Sequence, residues 1–70
     1  MNRDIVIGNT FAPFVSVAEA AAYLGVHPAL VYREIQKGNL RAVKIGAKVI
    51  RVSSDDLGAY IQAQHSKAIN

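Results

Sequence analysis

The chain of 70 residues contains no cysteine. No disulfide can staple it, and no thiolate can hold a structural zinc. Long hydrophobic runs are missing as well. The longest uninterrupted apolar stretch is Ala20–Leu24, far short of the ~20 residues that a membrane-spanning helix requires. Arg3 near the N-terminus has no long apolar run behind it, so no signal peptide is expected. No internal repeat or low-complexity tract is present, and the turn at Gly46 lacks the pattern of a phosphate-binding loop. The length suits one small domain rather than two. Such a chain buries only roughly 60% of the surface that its unfolded form exposes, so it folds on packing alone or with support from a partner. Apolar residues make up 51% and charged residues 19%, a balance that excludes disorder as the ground state.

Catalytic chemistry finds no foothold. Asp55 and Asp56 are adjacent carboxylates, but they suit the first turn of a helix. His27 and His65 fall in separate elements with no cysteine to complete a metal site. Ser53 and Ser54 have no base at motif spacing. The expectation is a protein without catalytic residues, metal or cofactor.

What is present is charge in one place. The net charge is +3, and six of the eight basic residues (Arg33, Lys37, Arg41, Lys44, Lys48 and Arg51) lie between positions 33 and 51. Glu34 is the single acid there, which leaves the window at +5 between near-neutral ends. A basic block of this kind points to an anionic partner.

Local signals place the elements around that block. Ser16 followed by Glu19 forms a capping box, and Val17, Ala20, Ala21 and Leu24 make one apolar stripe that Gly25 ends. A second helix begins at Pro28 with His27 before it, turns Val31 and Ile35 inward, and closes at Gly38–Asn39. About three residues separate these two short helices, the sequence form of a helix-turn-helix. Leu40–Ile45 and Val49–Val52 are β-prone with Gly46, Ala47 and Lys48 between them, which predicts a hairpin. Its expected register places Ile45 opposite Ile50, Lys44 opposite Arg51 and Val43 opposite Val52. That register sorts the four apolar residues onto one face and the two cations onto the other. Lys44 opposite Arg51 is repulsive by itself, and a bound polyanion relieves it. A last helix starts at Ser53 or Ser54, with Leu57, Tyr60, Ile61 and Gln64 as its stripe. Ile5, Val6 and Ile7 read as a short strand ended by Gly8 and Asn9, while Phe11, Phe14 and Val15 are expected on the core. Pro13 sets an extended entry to the first helix. The expected fold is a small α+β domain, a winged helix-turn-helix over 15–66. An N-terminal extension covers 1–14, and a fraying tail covers 67–70.

Val15 to Ile61, about two-thirds of the chain, resembles the excisionase family of small DNA-binding proteins, related to the MerR-type winged helix-turn-helix. The resemblance rests on Ser16 to Val26, Val31 to Ile35, Gly38 to Ala42, Val43 to Gly46 and Arg51 to Leu57, in the family's order and spacing. Two positions depart from it: His27 stands where Ser or Thr is usual, and Leu30 where a polar residue is usual. A dimerising coiled coil after the last helix, as in full MerR-type activators, is not expected.

The resemblance implies a protein in the cytoplasm of a bacterial host, associated with DNA and not with a membrane. It would bind repeated sites beside a phage attachment site, cooperatively and in several copies, even filament-like. By bending the DNA it would direct a separate phage integrase toward excision. A small phage transcriptional regulator of the same build, AlpA-like, shares the motifs. A basic module that binds an acidic protein is the alternative from another class.

The residues themselves suggest the same surface. A recognition helix presents its exposed side chains to the major groove. The positions not claimed by Val31 and Ile35 are His27, Ala29, Leu30, Tyr32, Arg33, Gln36 and Lys37. Arg33 suits a bidentate contact with guanine or a phosphate clamp. Tyr32 either reaches phosphate and sugar or is a half-buried core aromatic. Ala29 and Leu30 suit a thymine methyl, with Leu30 equally suited to the core. His27 suits a helix cap, a phosphate contact or a solvent-exposed structural role. On the wing, Arg41, Lys44, Lys48 and Arg51 are expected to track phosphate or enter the minor groove. The plainer reading of those cations is a hairpin kept soluble by its charges. The apolar Ile5, Val6 and Ile7 are the candidate contact between protomers.

Overall fold

The computed structural model describes residues 13–69. Its elements follow one another as β1 (Phe14–Ser16), α1 (Val17–Leu24), α2 (Pro28–Gln36), β2 (Val43–Ile45), β3 (Val49–Ser53) and α3 (Ser54–His65). This is the expected small α+β domain with three helices and a wing.

Each helix begins on a side-chain cap. The Ser16 hydroxyl accepts from the Glu19 backbone N–H at 3.0 Å, and the Glu19 carboxylate accepts from the Ser16 N–H at 2.8 Å. Those bonds satisfy two donors that the first turn leaves without partners. They also hold the Glu19 carboxyl below the usual carboxylate range, the bond from the Ser16 backbone first. Gly25 ends α1 at φ 73, and the N–H of Val26 reaches back to the Ala21 carbonyl at 3.0 Å. Only glycine takes that left-handed conformation at no steric cost, so the chain reverses within three residues and α2 starts at Pro28. Ser53 caps α3 by accepting from the Asp56 N–H at 3.0 Å.

Eight residues are too few for a stable isolated helix, so packing holds α1 in place. Val17, Ala20 and Ala21 of α1 are buried with Val31 of α2, Leu40, Val52 of β3 and Leu57 of α3. Ala20 and Ala21 carry so little side chain that α1 and α2 can pack closely. Val15, Leu24, Val26, Ile35, Ile50 and Ile61 are among the half-buried residues that close the core. No polar or charged residue is buried among the described residues.

The sheet differs from the expected two-stranded wing. Its order is β1-β3-β2, antiparallel throughout, because Phe14–Ser16 adds a third strand on the inner side of β3. Val15 lies opposite Val52, and the Pro13 carbonyl accepts from the Ser54 N–H at 2.8 Å. Pro13 thus leads an extended segment into α1, as expected.

The wing register also differs, by one residue. Val43 pairs with Arg51, Lys44 with Ile50 and Ile45 with Val49. The loop is therefore the three residues Gly46, Ala47 and Lys48, with Gly46 at φ 66. The expected register assumed that all four apolar wing residues share a face. They do not, because β3 is read from two sides. Pairing with β1 sets Val52 and Ile50 toward the core, and the short loop then puts Val43, Ile45 and Val49 on the outer face with Arg51. Those three are 39%, 51% and 42% exposed. The expected repulsion between Lys44 and Arg51 disappears, since the two point to opposite faces.

Two smaller corrections follow from the same geometry. Phe14 is 51% exposed rather than in the core, since it shares the outer face with Ser53, whereas Val15 does pack inward. The segment Leu40–Ala42 is not strand, although Leu40 itself is fully buried. The strand expected at Ile5, Val6 and Ile7, and the packing expected of Phe11, lie outside the described residues.

Candidate nucleic-acid interface

The second helix of the pair presents its outer stripe to solvent. Ala29, Tyr32, Arg33, Gln36 and Lys37 are all exposed, while Val31 is buried and Ile35 half-buried on the opposite side. Arg33 and Lys37 are four residues apart and so lie one above the other on the helix. Tyr32, at 47% exposed, projects beside them rather than into the core.

His27 sits at the helix N-cap, where its Nδ1 accepts from the Ala29 N–H at 3.0 Å. An accepting Nδ1 leaves the neutral ring's proton on Nε2. The exposed His27 thus combines a cap with a free donor at the end of the helix, where the dipole also favours an anion. Leu30 goes the other way. It is half-buried and lines a cleft of about 150 Å³ with Leu24, Val26, Val31, Glu34, Leu40 and Tyr60.

The wing divides its cations between two sides. Lys44 lies in a shallow cleft between α2 and the wing with Ile35, Ala42, Val43 and Ile50, and so shares a side with α2. Lys48 occupies the exposed loop at the wing tip, and exposed Arg41 lies on the connection from α2. Arg51 is separated from them. It is half-buried on the outer face opposite Ser16, its Nη1 donates to the Ile50 carbonyl at 2.9 Å, and its charge helps hold Glu19 ionised. Arg33 and Lys37 on α2, Lys44 in the cleft and Lys48 at the tip are all exposed, whereas Arg51 lies half-buried on the wing's outer face.

Two residues outside that candidate set bear on it. Glu34 lies on α2, yet its side chain is only 14% exposed. The Tyr60 hydroxyl of α3 donates to Glu34 Oε1 at 2.9 Å, which holds the Glu34 carboxyl below the usual range. Partial burial first and that bond second raise the Tyr60 phenol above its ordinary value. The pairing spans 26 residues of sequence. Its only local signal was that Glu34 is the sole acid in the basic window. Among the described residues no group of three or more His, Cys, Asp or Glu could hold a metal ion, and no helix is long and apolar enough to cross a membrane.

A tightly turned helix pair, an exposed basic stripe on its second helix and a β-wing beside that helix define a winged helix-turn-helix, a DNA-binding class of domain. The chain belongs to the helix-turn-helix domain family, which matches it over residues 14–65. It is also similar to the Excisionase of Mycobacterium phage D29, with 38% identity over 47 residues that cover 67% of this chain and 84% of that protein.

Proposed function

We propose that this protein is an excisionase that binds repeated sites beside a phage attachment site, bends the DNA and directs a separate integrase toward excision. The observation that carries the reading is the basic stripe of the second helix set beside the wing, on a chain similar over most of its folded part to a phage excisionase. Arg33 reads a base edge or clamps a phosphate at the centre of the helix, with Ala29, Tyr32 and Gln36 beside it. His27 at the start of the helix and Lys37 at its end hold the flanking phosphates. Arg41, Lys44 and Lys48 follow the backbone from the wing, and Arg51 supports the wing's outer face. Leu30 supports the helix from beneath.

Such a protein acts by architecture and not by covalent chemistry. Bending a short site costs on the order of 1–6 kcal/mol, a load that several protomers on adjacent sites can share. A single small domain makes few contacts, which favours cooperative, filament-like binding in numbers. Ile5, Val6 and Ile7 supply the contact between protomers in this reading. The protein then works inside the bacterial host cell, on DNA.

The test is recombination in vitro with the cognate integrase. Adding the protein is expected to switch the reaction from integration to excision. A protein that binds DNA and leaves both reactions unchanged refutes the excisionase reading. Removing residues 1–9 is expected to abolish cooperativity on multi-site DNA and leave single-site affinity in place.

A further inference from the structure

The recognition helix is anchored mainly through α1, whereas α3 packs mainly on β3. Between α2 and α3, one residue on each side makes a specific tie. Tyr60 donates to Glu34 at 2.9 Å, and among the described residues this is the one hydrogen bond between side chains that joins two helices. Glu34 has further partners. Asn39 Nδ2 approaches the same oxygen at 3.4 Å, Lys37 Nζ lies 3.8 Å from Oε2, and the Glu34 carbonyl accepts from the N–H groups of Asn39 and Leu40. The carboxylate and the phenol are the polar groups on an otherwise apolar cleft. A hydrogen bond there meets less competition from water than one on the open surface.

Two consequences follow for the outer stripe of α2. Arg33 is the neighbour of Glu34 on the helix, so any rotation of α2 that breaks the tie swings Arg33 as well. Bidentate recognition tolerates roughly 0.5 Å and 10–20° of misplacement. In addition, the one acid of the basic window is turned inward, away from where a phosphate would lie.

We propose that Tyr60 and Glu34 form a clamp that sets the angle at which the recognition helix meets DNA, so that Tyr60, on a helix outside the helix-turn-helix pair, is a positioning residue for sequence specificity. This rests on α2 being the reading helix, as proposed above. The clamp acts through Arg33 and its neighbours and touches no base itself.

The experiment measures the ratio of affinity for a duplex selected by the wild-type protein from a randomised pool to affinity for a scrambled duplex. Measurements are made at a temperature where circular dichroism shows every variant folded. Tyr60→Phe keeps the ring and removes the donor. It is expected to lower the ratio about three- to tenfold while scrambled-duplex affinity stays the same. Glu34→Gln keeps an acceptor for Tyr60 and removes the charge. It is expected to raise both affinities together and preserve the ratio. Glu34→Ala is expected to lower the ratio as Tyr60→Phe does, and the double variant Glu34→Ala/Tyr60→Phe to be no worse than either. An unchanged ratio in Tyr60→Phe overturns the proposal, since a merely structural contact would lower melting temperature alone; a Glu34→Gln ratio that falls equally far also overturns it, since that variant keeps the acceptor for Tyr60. Arg33→Ala separates the two readings. If its ratio also stays at the wild-type value, α2 is not the reading helix. If it collapses while Tyr60→Phe holds, the clamp alone is wrong.

Discussion

The wing register can be tested by a pair of substitutions to threonine, which retains β-branching and strand propensity. Val52 is fully buried and Ile45 is 51% exposed, and they lie on opposite faces of the sheet. Val52→Thr replaces a buried methyl, worth about 0.8 kcal/mol of transfer free energy, with a hydroxyl. No buried polar group surrounds Val52 among the described residues, so that hydroxyl is left without a good partner, at a further cost of about 1–3 kcal/mol. A domain of this size has a total stability of roughly 3–10 kcal/mol. A loss of about 2–4 kcal/mol is therefore a large fraction of it, and lowers the melting temperature by roughly 8–30 °C. Ile45→Thr acts on a side chain already half in water and is expected to change stability by no more than about 0.5 kcal/mol. Urea unfolding followed by far-UV circular dichroism reads both, with the denaturant slope serving to check that the unfolded states match. If Ile45→Thr costs as much as Val52→Thr, Ile45 faces the core and the pairing of Ile45 with Val49 is wrong.

Other perturbations address the caps, the charges and pH. His27→Ala is expected to lose about 1 kcal/mol of stability with the N-cap bond, and His27→Ser to retain it, as thermal melts will show. In DNA titrations, Arg33→Ala is expected to weaken binding to the selected site by about 1–3 kcal/mol. Lys48→Ala is expected to weaken all duplexes alike and to reduce the salt slope by about 0.9. Glu19 and Glu34 both titrate below their usual value in the fold. They therefore contribute stability that is present above the unfolded carboxylate value of 4.5 and is lost as pH falls through the lower folded values. Tyr60 is raised above its ordinary value of 10.0. Its contribution is complete below that pH and is lost as pH rises through the folded value. Urea midpoints across the pH range are expected to fall at both ends, with the alkaline fall reduced in Tyr60→Phe.

What could be read along the chain was what the chain settles within a few residues. The Ser16–Glu19 capping box, the left-handed Gly25, the His27–Pro28 start and the Asp55–Asp56 first turn depend on bonds two to five positions long. They mark where a helix starts and stops, although packing is what holds it, so both helices of the pair were legible with their ends. The basic window was legible because charge is additive along a sequence. Its division was not: Lys44 lies on the side of α2 and Arg51 on the outer face only because the register assigns them opposite faces.

The tertiary structure decided whatever depended on a partner remote in sequence. The expected register weighed β2 and β3 alone and asked their apolar residues to share a face. β1 lies on the other side of β3, and the pairing of Val15 with Val52 overrules that preference and leaves Val43, Ile45 and Val49 outside. The same holds for Glu34. By sequence it is one acid among the six cations of the basic window. Only the fold brings Tyr60 across 26 residues to turn it inward, because a hydrogen bond between two helices depends on how both are packed and leaves no periodic trace in either.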